Sequence, residues 1–303
     1  VIYQVLKLIG FMVFLGSYVN LSLAINSSIY REAFNYGIFD FGSQALNIIR
    51  KQLDVMILAI TLPSSEMGIY HVIKQLASRP AQALQPIIGK VALPAFAEVK
   101  DDKDRFARVY KDFYFVQLFV LAFIYVPVII ASELVTTLFF GESYAQYSLV
   151  LSLLAGFWFI RVAASNLVGP LVQSTGLTKR NFMWNVYVMC PNALVIYVSS
   201  MYGVEALVMS MAIFQIILFP VVNYYFIKFI TGVCFSYSVK SMGVLLVAFS
   251  VPLILFYQFV LPFIPNVIFL KETAVGLVTL LTAMVLFLKY AEVKQSLKRI
   301  KGF

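Results

Sequence analysis

The chain has 303 residues, of which 61% are hydrophobic and only 12% charged, and its mean hydropathy is +0.89. A water-soluble domain carries roughly twice that charged share, so the composition excludes the soluble classes and leaves an integral membrane protein. The net charge of +9 does not point to nucleic acid, because the cations are confined mainly to alternate loops and to the C-terminal tail.

Apolar stretches of about 20 residues, the length that crosses a bilayer as a helix, recur along the chain. They predict an all-α polytopic bundle of about nine transmembrane helices, at 2–24, 33–62, 67–97, 107–130, 146–174, 181–200, 204–228, 241–261 and 268–289. Pro80, Pro86, Pro94, Pro127, Pro170, Pro191 and Pro220 fall inside these spans and permit bends. Arg31, then Lys100, Lys103, Arg105, Arg108 and Lys111, then Lys179 and Arg180, then Lys228 and Lys240 occupy every second loop. The tail adds Lys289, Lys294, Lys298, Arg299 and Lys301, whereas the intervening loops hold Lys271, and Lys7 lies near the start of the first span. The positive-inside rule therefore predicts a cytoplasmic C-terminus and, with an odd number of spans, a first helix that begins outside.

A chain that opens at Val1 in an apolar span reads as the later part of a longer protein. Lys7 alone makes a poor basic region for a signal peptide. The sequon Asn26-Ser27-Ser28 falls on the predicted cytoplasmic side, and Cys190 and Cys234 imply no disulfide framework. The segment 133–140 reads as a short interfacial helix ending at Gly141, and 100–111 as a solvated cytoplasmic turn.

The second span carries the most informative residues. Asp40, Gln44, Asn47, Lys51 and Asp54 are spaced by four, three, four and three, so they share one helix face, flanked by Ser43 and Arg50. Arg50 can reach Asp54 one turn away. Three charges near the centre of a lipid-exposed helix would cost roughly 8 to 10 kcal/mol, against roughly 5 kcal/mol returned by the aliphatic and Phe residues of the same span. The polar face must be sheltered by other helices or by a hydrated cavity. The third span repeats the pattern with Lys74, Ser78, Gln82 and Gln85, beside Gln75 and Arg79 and with Lys90 further on, and contains no Asp or Glu between Tyr70 and Ala97. The fifth adds Arg161, Ser165, Asn166 and Gln173 around Gly169-Pro170.

Intramembrane cations either pair between helices or meet a ligand, and their excess over anions favours an anionic substrate. Arg50, Lys51, Lys74, Arg79 and Arg161, with the amides Asn47, Gln44, Gln75 and Gln82, are the candidate substrate-binding residues. Asp54 is either a site for a coupling proton or sodium ion or the structural partner of Arg50. His71, at the outer end of its helix, reads as structural. The chain has no HExxH, P-loop, GxSxG or metal-spaced Cys/His pattern, so no enzyme, cofactor or metal is expected.

From Gln52-Leu53-Asp54 through Gly68-Ile69-Tyr70 to Ala77, Pro80, Ile87, Val91, Pro94 and Asp101-Asp102, the sequence resembles the polysaccharide biosynthesis proteins, the Wzx-type flippases of the MATE-like transporter superfamily. Phe140-Gly141 with Tyr144 to Leu154, Gly176-Leu177-Thr178-Lys179-Arg180, and Gly203-Val204 with Ala206 fit the same family, over roughly 33–230. Tyr144 stands where the family often has Trp, and Glu205-Ala206 where it often has a second Gly.

The resemblance implies residues 1–30 as the last helix of a missing N-terminal lobe, 31–232 as a six-helix MATE-like C-terminal lobe, and 233–303 as two accessory helices with a basic cytoplasmic tail. It implies export of an undecaprenyl-pyrophosphate-linked oligosaccharide across the cytoplasmic (inner) membrane for O-antigen, capsule or exopolysaccharide synthesis. The implied partners are that lipid-linked oligosaccharide, membrane lipids and a polysaccharide polymerase, with no nucleic acid. The rivals are a MATE-type multidrug antiporter, which would line its cavity with acids, a membrane-embedded polymerase or ligase, which would need a long external loop, and a non-transporting scaffold.

Overall fold

The computed structural model describes residues 27–61, 63–264 and 270–289. The predicted span 2–24, the sequon at Asn26 and the tail cations beyond 289 lie outside these residues. Among the described residues all regular structure is helical: α1 (Ser27–Thr61), α2 (Ser64–Val99), α3 (Lys103–Ile130), α4 (Ser132–Phe140), α5 (Ser148–Ser165), α6 (Val168–Thr175), α7 (Thr178–Ser200), α8 (Val204–Val222), α9 (Phe229–Thr231), α10 (Phe235–Phe259) and α11 (Leu270–Lys289).

Six segments are long and apolar enough to cross a membrane: Lys103–Ile130, Glu142–Thr175, Thr178–Ser200, Val204–Thr231, Phe235–Phe263 and Leu270–Leu288. The protein is thus a multi-pass helical membrane protein, and apolarity alone accounts for six of the expected spans among the described residues. The helices α1 and α2 reach 35 and 36 residues but are too polar to join that set.

The apolar core is built on α3 and α5. Tyr110, Tyr114, Leu118, Leu121 and Tyr125 of α3 and Leu151, Leu154, Ala155 and Val162 of α5 are all buried. α5 packs against α2, α3 and α8, while α10 lies on α3 and α11 packs against α10 and α3. α1 packs mainly along α7, and it meets α2 over only a short stretch. Between them α1, α2 and α5 to α8 enclose a polar interior.

The short helix expected at 133–140 is present as α4, ending at Gly141 with its N–H bonded to the Thr137 carbonyl. The expected solvated turn at 100–111 is corrected. Only the start of that stretch is a turn, because the Asp102 carboxylate caps the N–H groups of Asp104 and Arg105 and starts α3 at Lys103. Phe106, Val109 and Tyr110 are consequently buried in the bundle.

At three irregular places in the helices, side chains bond the backbone. In α2, the Tyr125 hydroxyl from α3 bonds the turn at Pro80, accepting from the Ala81 N–H at 3.2 Å and donating to the Ala77 carbonyl at 2.9 Å. Pro170 has no N–H to continue the ladder, and the chain turns at Asn166–Leu167 between α5 and α6. There Asn166 donates to the Gln117 side-chain oxygen at 2.8 Å, and Gln117 donates to the Val162 carbonyl at 3.0 Å. After Pro220 the chain widens into a π turn at Asn223–Lys228, whose Tyr225 carbonyl accepts from Arg180 at 2.7 Å. α6 ends at Gly176, whose φ of 74° is a left-handed conformation natural to glycine, and this reverses the chain into α7.

With no water in the membrane interior, these repairs carry weight. Tyr125→Phe would remove the hydrogen bonds to the Ala81 N–H and the Ala77 carbonyl, and the expected loss is about 1 to 3 kcal/mol. A drop in the unfolding temperature of the detergent-solubilised protein measures it; an unchanged temperature would mean that the turn re-forms its own hydrogen bond.

Candidate functional site

The polar face of α1 lines a cavity of about 200 Å³ enclosed by α1, α2, α5, α6, α7 and the α8 end. Asp40, Ser43, Gln44, Asn47, Arg50 and Lys51 all contribute, so the helical spacing read from the sequence does place these residues on one wall. Ser165, Asn166 and Gln173 reach the same space because the break at Asn166–Leu167 turns them inward with Arg161.

The cavity is graded along its length. Near Asp40, hydrogen bonding is amide-rich: Gln44 donates to the Asp40 carboxylate at 2.7 Å, and Gln173 approaches its other oxygen at 3.5 Å. Towards the middle come Arg50, Lys51 and Arg161. None of these three has a carboxylate partner within ion-pair distance among the described residues. Arg50 contacts the Asn47 side-chain oxygen at 3.4 Å, and its Nε is buried without a partner. Arg161 stacks over Phe157 and Trp158 at 5.6 and 5.2 Å from their ring centres, and one of its terminal nitrogens is likewise buried and unpartnered. Buried donors without acceptors are costly, and a site that collects several cationic ones is suited to an anion.

A second, smaller space of about 20 Å³ shares Arg50, Lys51 and Arg161 with this cavity and is lined on its far side by Asp54 and Lys74. Arg50 was the expected partner of Asp54; the structure corrects this. Lys74 of α2 donates to Asp54 at 2.7 Å and to the Lys51 carbonyl at 3.0 Å, and the Tyr70 hydroxyl donates to the other Asp54 oxygen. Lys74 has no acidic neighbour on its own helix, but α1 supplies one across the helix pair. Asp54 and Lys74 are 3% and 12% exposed, so this is a buried ion pair.

The remaining α2 candidates lie elsewhere. Gln75 bonds His71 at 2.8 Å, Arg79 approaches Gln75 at 3.5 Å, and Gln82 bonds Ser78 at 2.9 Å. Gln75, Arg79 and Gln82 are exposed and are not among the residues that line the cavity; Gln85 is the α2 residue that does line it. The sequence reading passed over α7, whose Asn181, Trp184 and Asn185 line the cavity and whose Asn192 lines the narrow end. The i, i+4, i+11 spacing of those asparagines in an apolar helix was the available signal.

Removing one member of a buried ion pair leaves the other charge uncompensated, whereas removing both relieves it. Asp54→Asn is expected to cost about 3 to 5 kcal/mol, and adding Lys74→Met to restore much of that loss. Thermal unfolding of the wild type, both single variants and the double variant in one detergent provides the cycle; an additive result would remove the pairing from the account of stability.

Residues 1–149 match the polysaccharide biosynthesis protein family. Over 209 residues the chain is 27% identical to the amylovoran biosynthesis protein AmsL of Erwinia amylovora, covering 68% of this chain and 53% of that protein. It is 24% identical over 159 residues to the teichuronic acid biosynthesis protein TuaB of Bacillus subtilis strain 168, covering 51% and 32%. It is 29% identical over 156 residues to the lipopolysaccharide biosynthesis protein WzxC of Escherichia coli strain K12, covering 50% and 31%. The matched regions thus span about a third to a half of these relatives. No solved structure matches the chain. The likeness read at residues 52–102 is therefore a likeness in sequence to the polysaccharide biosynthesis proteins of the Wzx type, and this chain resembles that family.

Proposed function

We propose that this protein acts in surface polysaccharide biosynthesis by translocating an undecaprenyl-pyrophosphate-linked oligosaccharide across the inner membrane. The observation that carries the reading is the cavity with Arg50, Lys51 and Arg161 unpaired and two buried guanidinium nitrogens without acceptors. A drug antiporter for organic cations would need the opposite polarity, and among the described residues Asp40 is the one carboxylate in the wall of the larger space. The relatives named for amylovoran, teichuronic acid and lipopolysaccharide biosynthesis support a polysaccharide substrate.

On this reading the fold is a MATE-like lobe with two accessory helices, and transport proceeds by alternating access. The basic loop ends are cytoplasmic, so the wider part of the cavity, near Asp40, Gln173 and Asn181, faces the cytoplasm. Phosphate oxygens are held by Arg50, Lys51 and Arg161, and sugar hydroxyls by Gln44, Asn47 and the α7 asparagines. Lys74 is the cation at the closed end. It can exchange Asp54 for an arriving anion, which loosens the tie between α1 and α2 and links substrate binding to movement of α1. Asp54, once released, is the group available to a coupling proton or sodium ion. The exposed row of Gln75, Arg79 and Gln82 would face a second lobe.

The experiment is genetic and biochemical together. A deletion strain should accumulate lipid-linked oligosaccharide on the cytoplasmic leaflet. Lys51→Ala should fail to restore surface polysaccharide while inserting at the wild-type level, and Lys51→Arg should restore part of it. Normal polysaccharide with Lys51→Ala removes Lys51 from the pathway, and a deletion strain without the lipid-linked intermediate removes the flippase reading.

A further inference from the structure

A second large space lies away from the central cavity. It has a volume of about 520 Å³ and is formed where the start of α3, the end of α9 and the start of α10 meet. These are one end of three apolar membrane segments, Lys103–Ile130, Val204–Thr231 and Phe235–Phe263, so the space sits at the level where those helices leave the membrane. It is also the basic end, cytoplasmic by the positive-inside rule.

Among the described residues the wall includes three lysines, Lys103, Lys111 and Lys228, against one acidic residue, Asp104. Lys111 lies two turns inside α3 and is set in place by Tyr237 of α10: its Nζ is 5.3 Å from the ring centre, and the Tyr237 hydroxyl donates to the Lys111 carbonyl at 3.3 Å. Lys228 extends over Tyr224, 5.0 Å from that ring centre. α10 begins at this space with no side-chain cap, so its first N–H groups add positive potential. Phe229, Ile230 and Val233 supply apolar wall beside the cations. A wall that combines cations with apolar surface, at the end of three membrane segments, suits a ligand with both a phosphate and acyl chains.

We propose that this space is a binding site for the headgroup of an anionic phospholipid of the cytoplasmic leaflet, with Lys103, Lys111 and Lys228 on the phosphate. It shares no wall residue with the central cavity, so it does not depend on the function proposed for that cavity. A cation at headgroup level contributes about 1 kcal/mol, or about fivefold, so three contribute about a hundredfold. Occupancy would brace the starts of α3 and α10 against the end of α9.

The full chain is purified from phosphatidylethanolamine and phosphatidylglycerol membranes, and retained phosphatidylglycerol is counted by native mass spectrometry. A saturable lipid should remain on the wild type. It should bind about a hundredfold more weakly to the variant with Lys103→Gln, Lys111→Gln and Lys228→Gln, and about fivefold more weakly to Lys111→Gln alone. A control variant with Lys100→Gln, Arg108→Gln and Lys240→Gln, of equal charge but outside the wall, should retain it. Equal loss in the control would mean diffuse attraction to the membrane and overturn the site. Displacement of the lipid by inorganic pyrophosphate would reassign it to a soluble phosphate. Lys111→Gln serves if the triple variant fails to fold, and full retention by it would overturn the role of Lys111 and with it the proposal.

Discussion

The Asp54–Lys74 pair is the constraint around which the polar half of this protein is arranged. α1 lies mainly along α7, and α2 lies on α5, α6 and α3, so the two most polar helices meet over a short stretch only. What joins them deep in the bundle is a carboxylate held by an ammonium and a phenol, with Lys74 also bonded to the backbone of α1. Neither charge could be lipid-facing at a tolerable cost, and each makes the other's burial possible. The same constraint leaves Arg50, Lys51 and Arg161 outside the neutralised pair, along a space they share.

That space exists because the surrounding helices are irregular. A bundle of straight helices would pack its backbone tightly and leave little room. Here α5 breaks before Pro170, and the π turn after Pro220 brings Phe226 to the wall. At these places, which water cannot reach, polar side chains bond the backbone: Tyr125 at Pro80, Gln117 with Asn166 at the α5–α6 break, Arg180 at the π turn. Many of the buried polar residues outside the cavity are thus accounted for by backbone repair, which separates them from the cations that have no such task.

This division explains what could be read in the sequence. Six of the apolar spans, the short helix before Gly141 and the common face of Asp40, Gln44, Asn47 and Lys51 follow from patterns within one helix and were legible. The partner of Asp54 was not. An i, i+4 rule sees Arg50 on the same helix and cannot see Lys74, twenty positions away on the next one. Gln82 falls in the row of Lys74, with Gln75 and Arg79 alongside, yet all three are exposed, since only packing decides which α2 face turns towards α1 and α5. At 100–111, charge density suggested a loop, whereas Asp102 followed by Asp104 and then buried Phe106 and Tyr110 carried a capping signal that outweighed it. The asparagines of α7 were legible by spacing but lacked the charge that drew attention to α1.

The order of groups along the cavity bears on how a ligand would lie in it. Amides and Asp40 occupy the wide end, free cations the middle, and a neutralised pair the narrow end. A neutral ligand would find no reason to advance past the amides, and a cation would stop at Asp40. An anion is drawn to Arg50 and Arg161, and one turn further on it meets Lys74, whose charge is already satisfied. Its advance therefore requires the Asp54 bond to open, and opening that bond loosens the tie between α1 and α2, which then rests on the Tyr70–Asp54 and Lys74–Lys51 carbonyl bonds. On the proposed reading, the same electrostatics that select the ligand also make its arrival the event that frees α1 to move.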